Sequence, residues 1–223
     1  MRIAAALHSN ADIFAANRAT GHIALSVASA GGRTRRKSVH EDGSLRVRFP
    51  NTTPALLEAV TVNTGGGMTG GDRFAIEIAL EAGAKLMVGS AAAEKIYRSN
   101  GPDAEMTVAL DIADGGALSW LPQESILFDG ARLSRRIDVD LTGSATLLLA
   151  EAVVLGRLAS GEAMNYGSYS DRWRVRRDGK LIYADTARLD GDIADRLGEA
   201  AVTAGGIAVA TVLIAPAIAM AMP

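Results

Sequence analysis

The chain contains no cysteine. That excludes disulfide bonds and thiolate metal sites, and it suits a reducing compartment. Histidine is almost as scarce: His8, His22 and His40 are the only three in 223 residues, all within the first forty. A catalytic or metal centre built on imidazole is therefore not expected in the main body. Aromatic residues make up 4% of the chain, too few for the stacking platforms of a typical sugar site. No Gly-x-Ser-x-Gly turn occurs, and no serine, histidine and aspartate set has a nucleophilic context. Neither sign of charge dominates: 23 Lys and Arg against 25 Asp and Glu give a net charge of −2, which implies no general attraction to nucleic acid or to acidic membrane. Residues 1–7 hold too short an apolar run for a signal peptide, and the protein is expected in the cytoplasm. One uncharged run, residues 200–223, is long enough to cross a bilayer. It is rich in alanine, interrupted by Gly205, Gly206 and Pro216, and lacks basic anchors. It reads instead as a buried strand near residues 207–214 followed by a short apolar segment.

Glycine is plentiful, and it is concentrated. Five of the eleven residues from Asn63 to Arg73 are glycine. Gly65, Gly67 and Gly70 satisfy the G-x-G-x-x-G pattern of a dinucleotide-binding turn. Such a turn must open a helix whose N-terminus holds the pyrophosphate. Here the following residues alternate: Phe74, Ile76, Ile78 and Leu80 against Ala75, Glu77 and Ala79. Period two means a strand. Gly66 to Gly71 has phosphate-loop spacing, but Asp72 stands where the lysine is needed and would repel phosphate. The stretch is read as a tight loop between two strands.

A rhythm then runs down the chain. Alternating strands at residues 74–80, 106–112 and 133–141 each meet a glycine turn and a more apolar strand, at 84–88, 117–121 and 145–149. Earlier strands are expected at 22–27 and 45–49, with the basic run at 33–37 at a solvated hairpin end. At most a short helix fits at 192–200, and residues 1–20 show no period and are expected to be mobile in part. The expected fold is mainly β, with stacked antiparallel or mixed sheets in a sandwich- or solenoid-like arrangement, one or two short helices, and a single domain over residues 1–223.

The apolar strands run into polar clusters. Glu151 directly follows Leu147, Leu148, Leu149 and Ala150, and a carboxylate in such a strand must be paired, hydrogen-bonded or metal-bound. Arg98 and Arg157 are the expected partners. Asp72, Glu124, Glu151 and Glu162 leave two chemical readings open: paired carboxylates of a hydrolase, or groups that meet a cation. A third reading is a β protein that binds a small molecule in its lumen.

Four clusters taken together resemble one family. They are residues 63–72 (Asn-Thr-Gly-Gly-Gly-Met-Thr-Gly-Gly-Asp), 95–99 (Lys-Ile-Tyr-Arg-Ser), 120–124 (Trp-Leu-Pro-Gln-Glu) and 155–162 (Leu-Gly-Arg-Leu-Ala-Ser-Gly-Glu). In order and spacing they resemble the urease accessory proteins UreD, also called UreH, over residues 20–215. Family members usually extend further at the C-terminus. The resemblance implies an all-β scaffold with no turnover and no cofactor of its own. It implies binding to apo-urease and to UreF, which recruits the GTPase UreG, and transient carriage of nickel(II) to urease through an internal passage. Nickel(II) accepts carboxylate, carbonyl and water oxygen, and a conduit must bind weakly enough to release. Asp72, Glu151, Glu162 and Glu124 are then the expected passage residues, with Lys95, Arg98 and Arg157 as structural partners.

Overall fold

Alternation of apolar and polar residues sets the strands, and glycine turns set their ends. The computed structural model describes residues 17–50, 56–157 and 160–217. The described residues begin with a hairpin, β1 (Thr20–Ala30) and β2 (Arg33–Gly43), followed by β3 (Leu45–Arg48) and β4 (Leu57–Asn63). It then winds in coils. The first runs β5 (Arg73–Leu80), β6 (Lys85–Ser90), β7 (Glu94–Ile96); the second runs β8 (Ala104–Ile112), β9 (Ala117–Leu121), β10 (Ser125–Leu127); the third runs β11 (Arg132–Leu141), β12 (Thr146–Arg157). A short β13 (Glu162–Ala163) folds back on β12. The hairpin β14 (Tyr166–Arg177) and β15 (Lys180–Asp192), the helix α1 (Ile193–Gly198) and β16 (Ala208–Ala215) complete the described chain.

Each coil gives one strand to the first of two stacked sheets and, to the second, two short strands in the first two coils and one long strand in the third. The first sheet has the order β15-β14-β11-β8-β5-β1-β2, and the second β3-β4-β6-β9-β12-β10-β7, with β16 and β13 also on β12. Pairs between successive coils are parallel, as for β5 with β8 and β8 with β11. The terminal pairs β1 with β2 and β14 with β15 are antiparallel. The fold is thus mainly β, with mixed sheets in a solenoid-like stack and, among the described residues, one short helix. The glycine-rich loop leads from β4 into a strand, as its sequence required. At one end the turns bond to one another: the Gly83 amide donates to the Asp114 carbonyl at 3.0 Å, and the Ser144 amide to the Asp114 carboxylate at 2.7 Å.

Two features differ from expectation or lie beyond view. The strand expected near 207–214 forms as β16, but it is not buried. Val212 and Ile214 are 63% and 67% exposed. β16 lies antiparallel on β12 at the side of the second sheet, so its outward row has no covering layer, while Ala215 faces the core. Residues 1–16, including His8, and residues 218–223 fall outside the described part. Among the described residues no helix is long and apolar enough to cross a membrane.

The core lies between the sheets. Inward rows from the first sheet, such as Leu133, Ile137, Val139 and Leu141, meet Leu118, Leu147 and Leu149 from the second. Ile137 has no exposed surface. Ile137→Ala should lower stability by about 2–5 kcal/mol through lost burial and the cavity left behind. Urea unfolding checks this: the midpoint should fall with the slope unchanged.

Candidate functional site

Three inward rows carry a charge where an apolar residue would fit the pattern. β11 reads Leu133, Arg135, Ile137, Val139 on its buried side; β12 reads Leu147, Leu149, Glu151, Val153; β14 reads Tyr169, Asp171, Trp173, Val175. The pairing of β11 with β14 puts Arg135 directly beside Asp171. Their side chains form a two-pronged contact, Nε to Oδ1 at 3.0 Å and Nη2 to Oδ2 at 2.6 Å. Arg135 Nη1 crosses to the other sheet and donates to Glu151 Oε2. Trp120 Nε1 donates to Glu151 Oε1 at 2.7 Å. Asp171 Oδ2 also accepts from the Tyr169 hydroxyl at 3.1 Å and from Trp173 Nε1 at 3.0 Å. The charged side chains are almost wholly buried, at 2% exposure for Arg135, 5% for Glu151 and 7% for Asp171. Two carboxylates share one guanidinium, so the cluster carries a net negative charge when both are ionised. Burial pushes the Glu151 carboxyl above its ordinary range, against the opposing pull of Arg135 and Trp120. Burial acts to lower the Arg135 pKa, but Glu151 and Asp171 outweigh it and hold the guanidinium charged.

This cluster stands between two cavities, and both Arg135 and Glu151 line each of them. The first, about 130 Å³, opens toward the glycine-rich loop and is lined also by Asn63, Gly67, Glu94, Gln123 and Ser125. The second, about 320 Å³, lies toward the turn that follows α1 and toward β16, and includes Tyr169, Asp171, Trp173, Thr203 and Thr211. The first cavity exists because the second-sheet strands are interrupted. β6 and β7 are separated by residues 91–93, and β9 and β10 by residues 122–124. β12 runs unbroken past the gap: Leu149 pairs with Trp120 and Val153 with Ser125, so Glu151 lies level with the interruption.

The sequence-derived residues are placed as follows. Glu151 lies at the centre, but its partner is Arg135, not Arg98 or Arg157. Arg98 instead donates to Asp129 at 2.9 Å, and Arg157 pairs with Glu162 in the β12–β13 hairpin and lies over the Phe128 ring at 4.0 Å. Arg157 shares the alternation phase of Glu151, but the positive φ of Gly156 (98°) breaks that alternation and turns Arg157 outward, and Arg98 lies exposed beyond the end of β7. Asp72 is buried but lines neither cavity. Its Oδ1 accepts from the Ala19 amide and its Oδ2 from the Thr69 amide, each at 2.8 Å, so it closes the glycine-rich loop onto the start of β1. Glu162 also lies outside both cavities; its Oε1 accepts from the Asp129 amide at 2.9 Å, and this bond, with Arg157, holds its pKa below the ordinary range. Glu124 is half-buried beside the first cavity and offers its carbonyl to the Glu94 amide at 2.9 Å. Lys95 lines the first cavity, and its carbonyl accepts from the Met68 amide.

Three site residues escaped the sequence reading: Arg135, Asp171 and Glu94. For the first two the signal was present, because each occupies an inward position of an alternating strand. Glu94 carries no such mark. It lines the first cavity, its Oε1 accepts from Asn63 Nδ2 at 2.8 Å, and burial pushes its pKa up to about 7. Gly67, at φ 149°, fits against this cluster because a Cβ there would lie 2.7 Å from the Lys95 carbonyl. Among the described residues no three His, Asp or Glu side chains are gathered to hold a metal ion as they stand.

Fold and site together define a mainly β, solenoid-like protein whose apolar interior holds one buried polar cluster between two cavities. Comparison with known proteins narrows this class. The family model described as UreD urease accessory protein matches residues 19–222, and the chain belongs to that family. It is 56% identical over 204 residues to the urease accessory protein UreD of Rhodopseudomonas palustris (strain HaA2), covering 92% of this chain and 73% of that protein. It is 54% identical over 206 residues to urease accessory protein UreD 1 of Bradyrhizobium sp. (strain ORS 278), covering 92% of this chain and 74% of the relative. Family membership supports a role in urease maturation.

The buried cluster and Glu94 each have a stability consequence. Arg135→Met leaves two buried carboxylates without their cation and should destabilise by about 3–5 kcal/mol, whereas Glu151→Gln keeps an acceptor for Trp120 and should lose less. Thermal unfolding of both variants checks the order. Glu94 is protonated more readily folded than unfolded, so its contribution is full below about pH 4.5 and is lost as the pH rises through about 7. Between pH 5 and pH 8 the wild type should lose about 2–3 kcal/mol relative to Glu94→Gln, as read by urea titrations at each pH.

Proposed function

We propose that this chain is a non-catalytic scaffold of urease maturation that carries nickel(II) through its interior. In this reading it binds apo-urease and UreF directly and meets the GTPase UreG through UreF, and it acts in the cytoplasm. Nickel is cargo, and GTP belongs to UreG. The observation that carries the reading is the Arg135–Glu151 pair shared by two cavities on opposite sides.

The chemistry suits passage better than storage. A hydrated dication entering a low-dielectric interior needs oxygen ligands and negative potential. Glu94 supplies a carboxylate beside the first cavity, Glu151 one at the constriction, and Asp171 one on the far side. A cation at Glu151 competes with Arg135 for the same oxygens, so it is held only briefly, as a conduit requires. Asp72 then serves by fixing the loop around the first cavity, and Glu124 and Glu162 flank the route. The hydrolase reading finds less support, because Asp72, Glu151 and Glu162 are each held by a different set of partners.

The test is urease activation in cells whose own UreD gene is replaced by this chain. Glu151→Gln should still be captured with UreF in a pull-down, while the urease produced contains several-fold less nickel. Full nickel loading by Glu151→Gln together with Glu94→Gln contradicts the passage; loss of UreF capture by the wild type contradicts the scaffold role.

A further inference from the structure

The first sheet has an outward face that the interior route does not use, and two of the three histidines stand on it. On β1 the residues alternate, with Ile23 and Leu25 buried in the core and His22 and Ala24 turned outward. Register fixes their neighbours. His22 is opposite Asp42 on β2 and Ala75 on β5; Ala24 is opposite His40 on β2 and Glu77 on β5. His22 therefore sits diagonally between His40 and Glu77, with the Asp42 position directly across from it. Adjacent and diagonal positions on one sheet face are close enough for long side chains to meet.

The side chains do meet. His22 Nε2 lies 3.4 Å from Glu77 Oε1. The His22 and His40 rings lie 5.3 Å apart between centroids, edge to face. His22 Nε2 is shielded from solvent yet has no hydrogen-bond partner. An imidazole nitrogen with no hydrogen bond, 3.4 Å from a carboxylate and beside a second imidazole, has the surroundings of a ligand atom. Two imidazoles that share one ion, each with nitrogen about 2.0–2.1 Å from it, place their ring centroids about 5 Å apart at a tetrahedral angle. The observed separation is already close to that value.

We propose that His22, His40 and Glu77 bind a divalent cation of borderline character, such as nickel(II) or zinc(II), on the outward face of the first sheet. The three donors do not converge in the described geometry. Convergence needs only side-chain rotation, because His40 is exposed and the Glu77 side chain is 60% exposed, while the three backbones are fixed by ladder pairing. Asp42 is placed to complete the ligand set or to orient an imidazole from outside it, as carboxylates do beside metal-bound histidine. Arg73, two residues before Ala75 on β5, is engaged by Glu105 at 3.5 Å. This site is independent of the interior route, since none of its residues borders the cavities at Glu151.

The full chain is titrated calorimetrically with nickel chloride and, separately, with zinc chloride. His22→Ala and His40→Ala should each lose one equivalent of bound ion or weaken it about tenfold. Substoichiometric nickel should broaden the ring-proton resonances of His22 and His40 first. Unchanged stoichiometry and affinity in both histidine variants overturns the site, as does early broadening confined to other residues. If His22→Ala unfolds, the exposed His40→Ala and the resonance measurement on the wild type still decide the question.

Discussion

The Arg135 guanidinium spans the two sheets, and much of the interior follows from its need for partners. A buried guanidinium without acceptors is unaffordable in a protein core. Asp171 answers from the adjacent strand and Glu151 from the opposite sheet, and each carboxylate needs further donors, which Trp120, Tyr169 and Trp173 provide. Six side chains, Arg135 included, are thus committed to one polar cluster where aliphatic groups would otherwise interlock. The space beside such a cluster does not close as a packed leucine layer does. Cavities on both sides are the geometric consequence.

The interrupted strands serve the same end. β12 is continuous through the level of Glu151, whereas on one side its neighbour breaks between β9 and β10 at residues 122–124, and the next strand out breaks between β6 and β7 at residues 91–93. A continuous neighbour would have brought inward side chains against Glu151 from that side. The breaks are occupied by small or polar residues, Ala91, Ala92 and Ala93 in one and Pro122, Gln123 and Glu124 in the other. Proline at 122 removes a ladder donor and ends the strand. The glycine-rich loop closes over the same region, with Asp72 binding two backbone amides and Tyr97 donating to the Gly66 carbonyl at 3.1 Å. An acid that looked like a cation ligand in sequence is the clasp of that loop.

The strands were readable in the sequence because alternation is local: Phe74, Ile76, Ile78 and Leu80 need no knowledge of what they pack against. The parallel coil order was not readable, since the pairing of β5 with β8 and β8 with β11 joins residues about thirty apart and leaves no local trace. Glu151 stood out because it interrupts an apolar run. Arg135 and Asp171 were hidden in strands crowded with other charges, Arg136 and Asp138 in one and Arg172 and Arg174 in the other, and only the phase of the alternation separates the inward charge from the outward ones. Assigning Arg98 and Arg157 to Glu151 failed because Gly156 breaks the alternation that would have kept Arg157 on the side of Glu151, and because Arg98 lies past the end of β7. The exposure of β16 escaped for a related reason: an apolar composition does not say whether a covering layer exists.

The absence of cysteine makes the interior open to a direct measurement. Single cysteines at Ala93, beside the break next to the first cavity, and at Thr211, in the second, give this chain a unique thiol each. Each thiol can be capped with a small methanethiosulfonate reagent before the complex with UreF, UreG and apo-urease is assembled and supplied with nickel. Capping at either position should leave assembly intact and reduce nickel transfer to urease several-fold, with reducing agent restoring it. Undiminished transfer from both capped variants would contradict a route past Glu151.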